Sequence, residues 1–482
     1  MPSSPFEMKA SSVLQNEELQ HSYRNAMDYL IKRRQQQFND PLEWQTLRQK
    51  GTSIKTAALN DLPQLLLQLE AKLINNGIQV HWAETPDEAN ILITRLIKET
   101  TSSNPDLSPA PVVKGKTMVS EEIHLNQYLA QQGIPCLETD MGEFIVQLAK
   151  ETPSHIIMPA IHKNKAEIAQ LFKEHISGIY QDDVDILIQQ ARQYLRQCFE
   201  NATVGISGVN FAVAETGTLV LVENEGNGRM STTLPQTHIA LMGIEKVIAS
   251  LTDLPPLLSL LTRSATGQSI TTYINMISGP RRKGEKDGPE KVHVILLDNG
   301  RSKLWQDASL RDTLRCIRCG ACMNHCPVYS RVGGHSYGTT YPGPIGKILA
   351  PQLETQDNAA DLPFASSLCG ACGEVCPVNI PIPQLLLRWR QEATQQYQTN
   401  HCNHTTIPQQ PTPITGLKYS RGQHLIWKTW SWINCHPKLY YFMTYLVTKW
   451  RILLPRQLGG WTLYRTPPRP ASSTLHQRLK NK

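Results

Sequence analysis

The sequence predicts an α/β layer domain, then a small helical metal-binding unit, then a basic and aromatic C-terminal tail. Three observations predict it. From about residue 55 to 300, helical and strand patterns alternate, as a layered α/β domain requires. Seven of the eleven cysteines fall between Cys316 and Cys376, in two groups that each end in Cys-Pro. No Asp or Glu follows Glu392, whereas twelve Lys and Arg do. The formal charge of +7 is therefore +12 on the tail and −5 on everything before it.

A chain of 482 residues, 40% of them hydrophobic, exceeds one domain and has ample material for a core. Disulfide frameworks belong to small secreted chains. Clustered cysteines in a chain of this size are metal-ligand usage in a reducing compartment. No apolar run reaches the ~18 residues of a spanning helix. The N-terminus (MPSSPFEMKASSVLQNEELQ) has no apolar stretch of the signal-peptide kind. A cytoplasmic location is expected, with peripheral membrane association open to the tail alone.

Residues 1–50 read as a polar helical segment without strand signals (Asn16–Phe38, NEELQHSYRNAMDYLIKRRQQQF). The α/β domain is expected over 55–300. Within it, Asp182 should open a helix whose apolar face is Val184, Leu187, Ile188, Ala191, Leu195 and Cys198, spaced at three and four. Thr218–Val222 and Val292–Leu297 are β-branched runs that read as strands buried on both faces. Ser278–Pro289 carries Gly, Pro and charge, and reads as a loop. The cysteine-rich unit is expected over 305–390. His401–Thr415 is a proline-rich linker, and 401–482 holds the tail with Trp427, Trp430, Trp432, Trp450 and Trp461. Aromatic and basic residues without acids suit either a membrane interface or docking of a partner subunit. No nucleic-acid-binding motif is present.

Cys316, Cys319, Cys322 and Cys326-Pro327 follow the spacing x2, x2, x3 of the bacterial ferredoxin run. In that run three cysteines serve one cluster and the fourth crosses to the other. Cys369, Cys372 and Cys376-Pro377 form a second, three-membered group. Crossing the ligands gives cluster 1 Cys316, Cys319, Cys322 and Cys376, and cluster 2 Cys326, Cys369 and Cys372. Two 4Fe-4S clusters are the expected cofactors. The second has an open or non-cysteine position, a three-iron form, or a ligand from another chain. Zinc fits this spacing poorly. Forty-two residues separate Cys326 from Cys369, too many for a short hairpin ferredoxin, so an α-helical ferredoxin arrangement is expected. Cys136 and Cys198 read as structural; Cys402 and Cys435 are candidates for an eighth ligand.

The α/β domain has no P-loop, HExxH or haem motif. Gly226-Asn227-Gly228 after Thr218–Val222 is a partial dinucleotide signature lacking its third Gly and its acidic partner. Glu121 and Glu122 read as an acidic pair at a helix N-terminus, and His162 as a satisfied histidine. Together, however, four segments and the two cysteine groups resemble the lactate-utilisation iron–sulfur protein B family. The segments are KTMVSEEIHLN (Lys116–Asn126), ETDMGEFIVQL (Glu138–Leu148), PSHIIMPAIH (Pro153–His162) and GVNFAVAETGTLVLVENEGNGR (Gly208–Arg229). The resemblance implies an α/β LUD domain like the sugar-isomerase and CoA-transferase folds. It also implies a role, with two partners, in oxidising L-lactate to pyruvate. Those partners are a cysteine-rich-domain iron–sulfur protein and a second LUD-domain protein. Catalytic residues are not identified, since no hydride acceptor site is legible. An iron–sulfur subunit for another 2-hydroxy acid such as glycolate, and a redox- or iron-sensing module, stay open as alternatives.

Overall fold

The computed structural model describes residues 5–102, 112–353, 359, 361–401, 421–451 and 469–480. The His401–Thr415 linker after its first residue, Cys402 and Trp461 lie outside the described residues. Four helices open the chain: Pro5–Val13, Glu17–Gln37, Pro41–Asn60 and Leu62–Asn75. Asn16 caps the second through Leu19 N (3.0 Å) and Asp40 the third through Leu42 N (2.8 Å), with Pro41 in the first turn. No break falls near residue 50. Helix Pro41–Asn60 runs through it, because Lys55, Ala58 and Leu59 are buried and fix its second half in the core.

Among the described residues ten strands follow: β1 Gln79–Ala83, β2 Val112–Lys114, β3 Cys136–Glu138, β4 Val204–Gly208, β5 Phe211–Val213, β6 Thr218–Glu223, β7 Thr237–Gly243, β8 Val247–Ile248, β9 Tyr273–Ile277 and β10 Lys291–Leu297. Six form a parallel sheet in the order β1-β10-β7-β4-β2-β3. Its centre is buried on both faces; every residue of β7 is buried, as is β10 after Lys291. A second sheet has the order β8-β5-β6-β9, with β6 antiparallel to both neighbours. The run at Thr218–Val222 thus belongs to this smaller sheet. The Ser278–Pro289 segment has no helix or strand.

Helix Val184–Asn201 forms, but Asp183 caps it through Asp185 N and Ile186 N, while Asp182 pairs with Lys165. Its buried face is Leu187, Ala191, Leu195 and Phe199; Val184 and Ile188 are 54% and 50% exposed. That face meets the cluster of Phe144, Ile145, Ala169 and Phe172, and Val184 and Ile188 fall outside it.

After β10 come short helical turns and loops around the cysteines, then helices Gly343–Leu353 and Ile382–His401. One continuous apolar core joins Leu69, Val213 and Leu257 to Ile348, Leu386 and Trp389. The cysteine unit is therefore built onto the α/β domain rather than hung from it. In the tail, helices Arg421–Asn434 and Pro437–Lys449 leave Trp427, Trp430, Trp432, Phe442 and Trp450 exposed. Among the described residues no helix is long and apolar enough to cross a membrane.

Candidate metal centre

The two cysteine loops have one backbone shape. Arg318 and Leu368 each precede a cysteine with positive φ (60° and 54°), and Gly320 and Gly370 each follow it with positive φ (74° and 89°). A one-turn helix then begins, Ala321–Asn324 in one loop and Ala371–Glu374 in the other. Glycine relieves the left-handed strain at the second position; Arg318 and Leu368 bear it at the first. The repeated turn directs several thiols and backbone N–H groups towards one centre. Sulfur accepts from backbone N–H at Cys316 (Arg318 N, 3.4 Å), Cys326 (Tyr329 N, 3.5 Å) and Cys376 (Ile380 N, 3.3 Å).

The thiols fall into two electrostatic neighbourhoods. Cys319 has Cys316 and Cys376 as charged neighbours, and Cys322 has Cys316, Cys319 and Cys376, with Cys372 more weakly. Cys372 has Cys326 and Cys369, with Lys347 also close. Burial pushes the free Cys319 thiol up to about 12 and Cys372 to about 11. Buried thiols of this kind ionise only against a cation, so the donor set fits a metal group that takes them as thiolates. A single tetrahedral zinc would draw its sulfurs to about 3.8 Å apart. The spacing x2, x2, x3 instead suits a cluster whose ligands sit on separate irons. Cys326, Cys369 and Cys372 line one small recess with His325, Ser366 and Ser367. Lys347, fully buried, sits 4.0 Å from Cys326 Sγ. Of the other cysteines, Cys435 is exposed and Cys198 half-buried; burial raises the Cys136 thiol to about 12.

The loops are seated on the C-terminal edge of the parallel sheet, where open α/β sheets place their sites. Arg301, just beyond β10, gives two hydrogen bonds to Glu122 (2.8 Å each) and one to Glu245 Oε2 (2.6 Å), which follows β7. Tyr341 OH donates to Glu122 Oε2 (2.8 Å), and Arg318 from the first cysteine loop reaches Glu245 Oε1 (3.4 Å). Lys55 Nζ donates to the Glu245 carbonyl (2.6 Å). Although burial opposes it, the three cations Arg301, Lys246 and Arg318 hold Glu245 down at about 2. Glu122 is thus a buried anchor at the end of a one-turn helix, Met118–Glu122, and not part of a solvated acidic pair. Sequence reading missed this network because its members are far apart in the chain.

From the other side the N-terminal helices hold the second loop. Arg48 donates to the carbonyls of Cys376 (2.8 Å) and Gly373 (2.7 Å). Arg34 reaches the Val375 carbonyl (3.4 Å) and stacks on Phe38 and Trp44. His155 accepts Ile157 N and Met158 N at Nδ1 and donates from Nε2 to Asn324 Oδ1 (2.9 Å). Protonating Nδ1 would break two bonds, and burial lowers this imidazole to about 4. In a cleft between the two units, His162 Nε2 meets Glu151 (2.6 Å) and His335 Nε2 meets the Thr152 carbonyl (2.6 Å), while His162 Nδ1 is buried without a partner. Only one nitrogen of His162 is therefore satisfied. Gly226-Asn227-Gly228 does open a helix, Asn227–Thr233, but the Glu223 carboxylate accepts Gly228 N and Arg229 N (2.6 Å each). The protein's own side chain occupies the place a phosphate would take.

Such a site, two like cysteine loops on the edge of a parallel sheet, defines an α/β LUD protein with an iron–sulfur unit. The LUD domain model matches residues 66–297, a 4Fe-4S dicluster domain matches 312–380, and the C-terminal domain of lactate utilisation protein B matches 399–482. Lactate utilization protein B of Bacillus velezensis is 43% identical over 392 residues, 81% of each chain. That of Shouchella clausii is 38% identical over 99% of this chain and 96% of its own. An electron transport protein of Escherichia coli is 38% identical over 89% of this chain and 88% of its own. The chain belongs to the lactate utilization protein B family.

Proposed function

We propose that this chain is the iron–sulfur electron-transfer subunit of a complex that oxidises L-lactate to pyruvate. The observation that carries the reading is the gathering of seven cysteines into two adjoining sets on the edge of the LUD sheet. Cys316, Cys319, Cys322 and Cys376 would hold one 4Fe-4S cluster; Cys326, Cys369 and Cys372 would hold the other, in a helical ferredoxin unit. Converting a 2-hydroxy acid to a 2-oxo acid releases two electrons and two protons. Bound clusters would pass those electrons on one at a time. The chain's own residues position the thiols, exclude water around Cys319 and Cys376, and set Lys347 beside the second set. Hydride or proton removal from lactate would fall to a partner, a cysteine-rich-domain iron–sulfur protein or a second LUD-domain protein. The exposed aromatic tail helices are where we place docking. The names of the relatives support lactate as the substrate.

The test is reconstitution. L-Lactate-dependent reduction of an artificial acceptor should be negligible for the single chain and restored by both partners. In cells, deletion of the gene should abolish growth on L-lactate and spare growth on pyruvate, and Cys316→Ser should reproduce the deletion. Turnover by the single chain at the rate of the complex would overturn the reading.

A further inference from the structure

The two cysteine loops are a structural repeat, and aligning them shows what stands in the eighth ligand position. Arg318, Cys319, Gly320, Ala321 and Cys322 superimpose in pattern on Leu368, Cys369, Gly370, Ala371 and Cys372, with the same pair of positive-φ residues. Cys316 lies three residues before Cys319; its counterpart, three before Cys369, is Ser366. The local hydrogen bond is conserved between the loops. Arg318 N donates to Cys316 Sγ (3.4 Å), and Leu368 N donates to Ser366 Oγ (3.2 Å). Ser366 also lines the same recess as Cys326, Cys369 and Cys372, and Arg390 fixes its carbonyl at 3.0 Å.

We propose that Ser366 Oγ is the fourth ligand of the second cluster. This rests on the proposed assignment of Cys326, Cys369 and Cys372 to that cluster. An alkoxide oxygen is a harder donor than thiolate and leaves the eighth position filled but more weakly held. Lys347 supplies a buried positive charge on the same side, 4.0 Å from Cys326 Sγ. His325 shares the recess. Its Nδ1 is committed to the Ala321 carbonyl (2.9 Å), and its charged neighbour is Arg34, which holds the other loop.

The experiment uses the full chain purified anaerobically, with iron counted and electron paramagnetic resonance recorded during ferricyanide oxidation. Going from a four-iron 2+ cluster to a three-iron 1+ cluster releases one Fe²⁺ and gives one electron to ferricyanide. With Ser366 as a ligand, Ser366→Ala should show the three-iron signal first and lose about one of eight irons. Wild type should follow more slowly, and Ser366→Cys should resist. His325→Ala should behave as wild type. Equal iron content and equal oxidation of Ser366→Ala and wild type would overturn the proposal, as would a change confined to His325→Ala. Cys372→Ala should abolish the oxidation signal; its persistence there would overturn the ligand partition, and Ser366 with it.

Discussion

Arg301 shows how a single residue joins the two units. Its guanidinium faces two buried carboxylates, Glu122 and Glu245, and all three side chains are at most 1% exposed. Removing the cation would leave Glu122 buried with only the neutral donors Asn299 and Tyr341, and Glu245 with Arg318 at 3.4 Å, so Arg301→Met should lower the unfolding free energy by about 3–5 kcal/mol, measured by urea denaturation. Preserved stability would mean that the carboxylates find other partners. His238, within β7, titrates in the opposite environment. It is fully buried with Nε2 2.8 Å from Ser207 Oγ, and burial, with His293 nearby, lowers its pKa to about 3. The unfolded chain binds this proton near pH 6.5 and the folded chain does not. Its contribution is therefore complete above about pH 6.5 and is lost as the pH falls towards about 3. Wild type should lose about 1.4 kcal/mol more per pH unit below 6.5 than His238→Gln. Urea midpoints at about pH 7.5 and 5.5 check this, and parallel losses in the two proteins would contradict it.

At the scale of elements, the N-terminal helices act as a clamp on the second cysteine loop. Their polar composition gives no hint of it, because the contacts are made by Arg34 and Arg48 to backbone carbonyls at Gly373, Val375 and Cys376. Two of those three carbonyls flank or belong to a residue assigned to the first cluster. Arg48→Ala should leave the helices intact by circular dichroism and speed loss of iron to a chelator by about tenfold. Iron release at the wild-type rate would reduce the clamp to surface packing. Helix Val184–Asn201 teaches a complementary lesson. Its periodicity was legible, but which residues are buried depended on where Phe144 and Phe172 pack.

For the whole molecule, the apolar core that runs from the second sheet into the cysteine unit makes the two a single folded body. The tail stands apart in composition, with its described helices exposing aromatic side chains. All seven motif cysteines precede it. Truncation after Thr415 should therefore retain the visible absorbance and iron content of the full chain while abolishing co-elution with the partner proteins. Loss of iron on truncation would place a ligand, Cys435, beyond the cut. Co-sedimentation of the full chain, and not the truncated one, with anionic vesicles would assign the tail to a lipid surface instead.

The sequence by itself determined the alternation of helix and strand, the two cysteine loops and the acid-free tail. Each of these rests on local periodicity, spacing or composition, which a linear chain displays directly. Only the tertiary structure decided that Glu122 is a buried anchor, that Glu223 caps the helix after Gly226, and that Ser366 is the counterpart of Cys316. Those outcomes depend on side chains brought together from distant positions, or on backbone angles shared by two loops. A carboxylate next to a glycine-rich turn reads the same in sequence whether it faces water or a guanidinium. Which it meets is settled by how the elements pack.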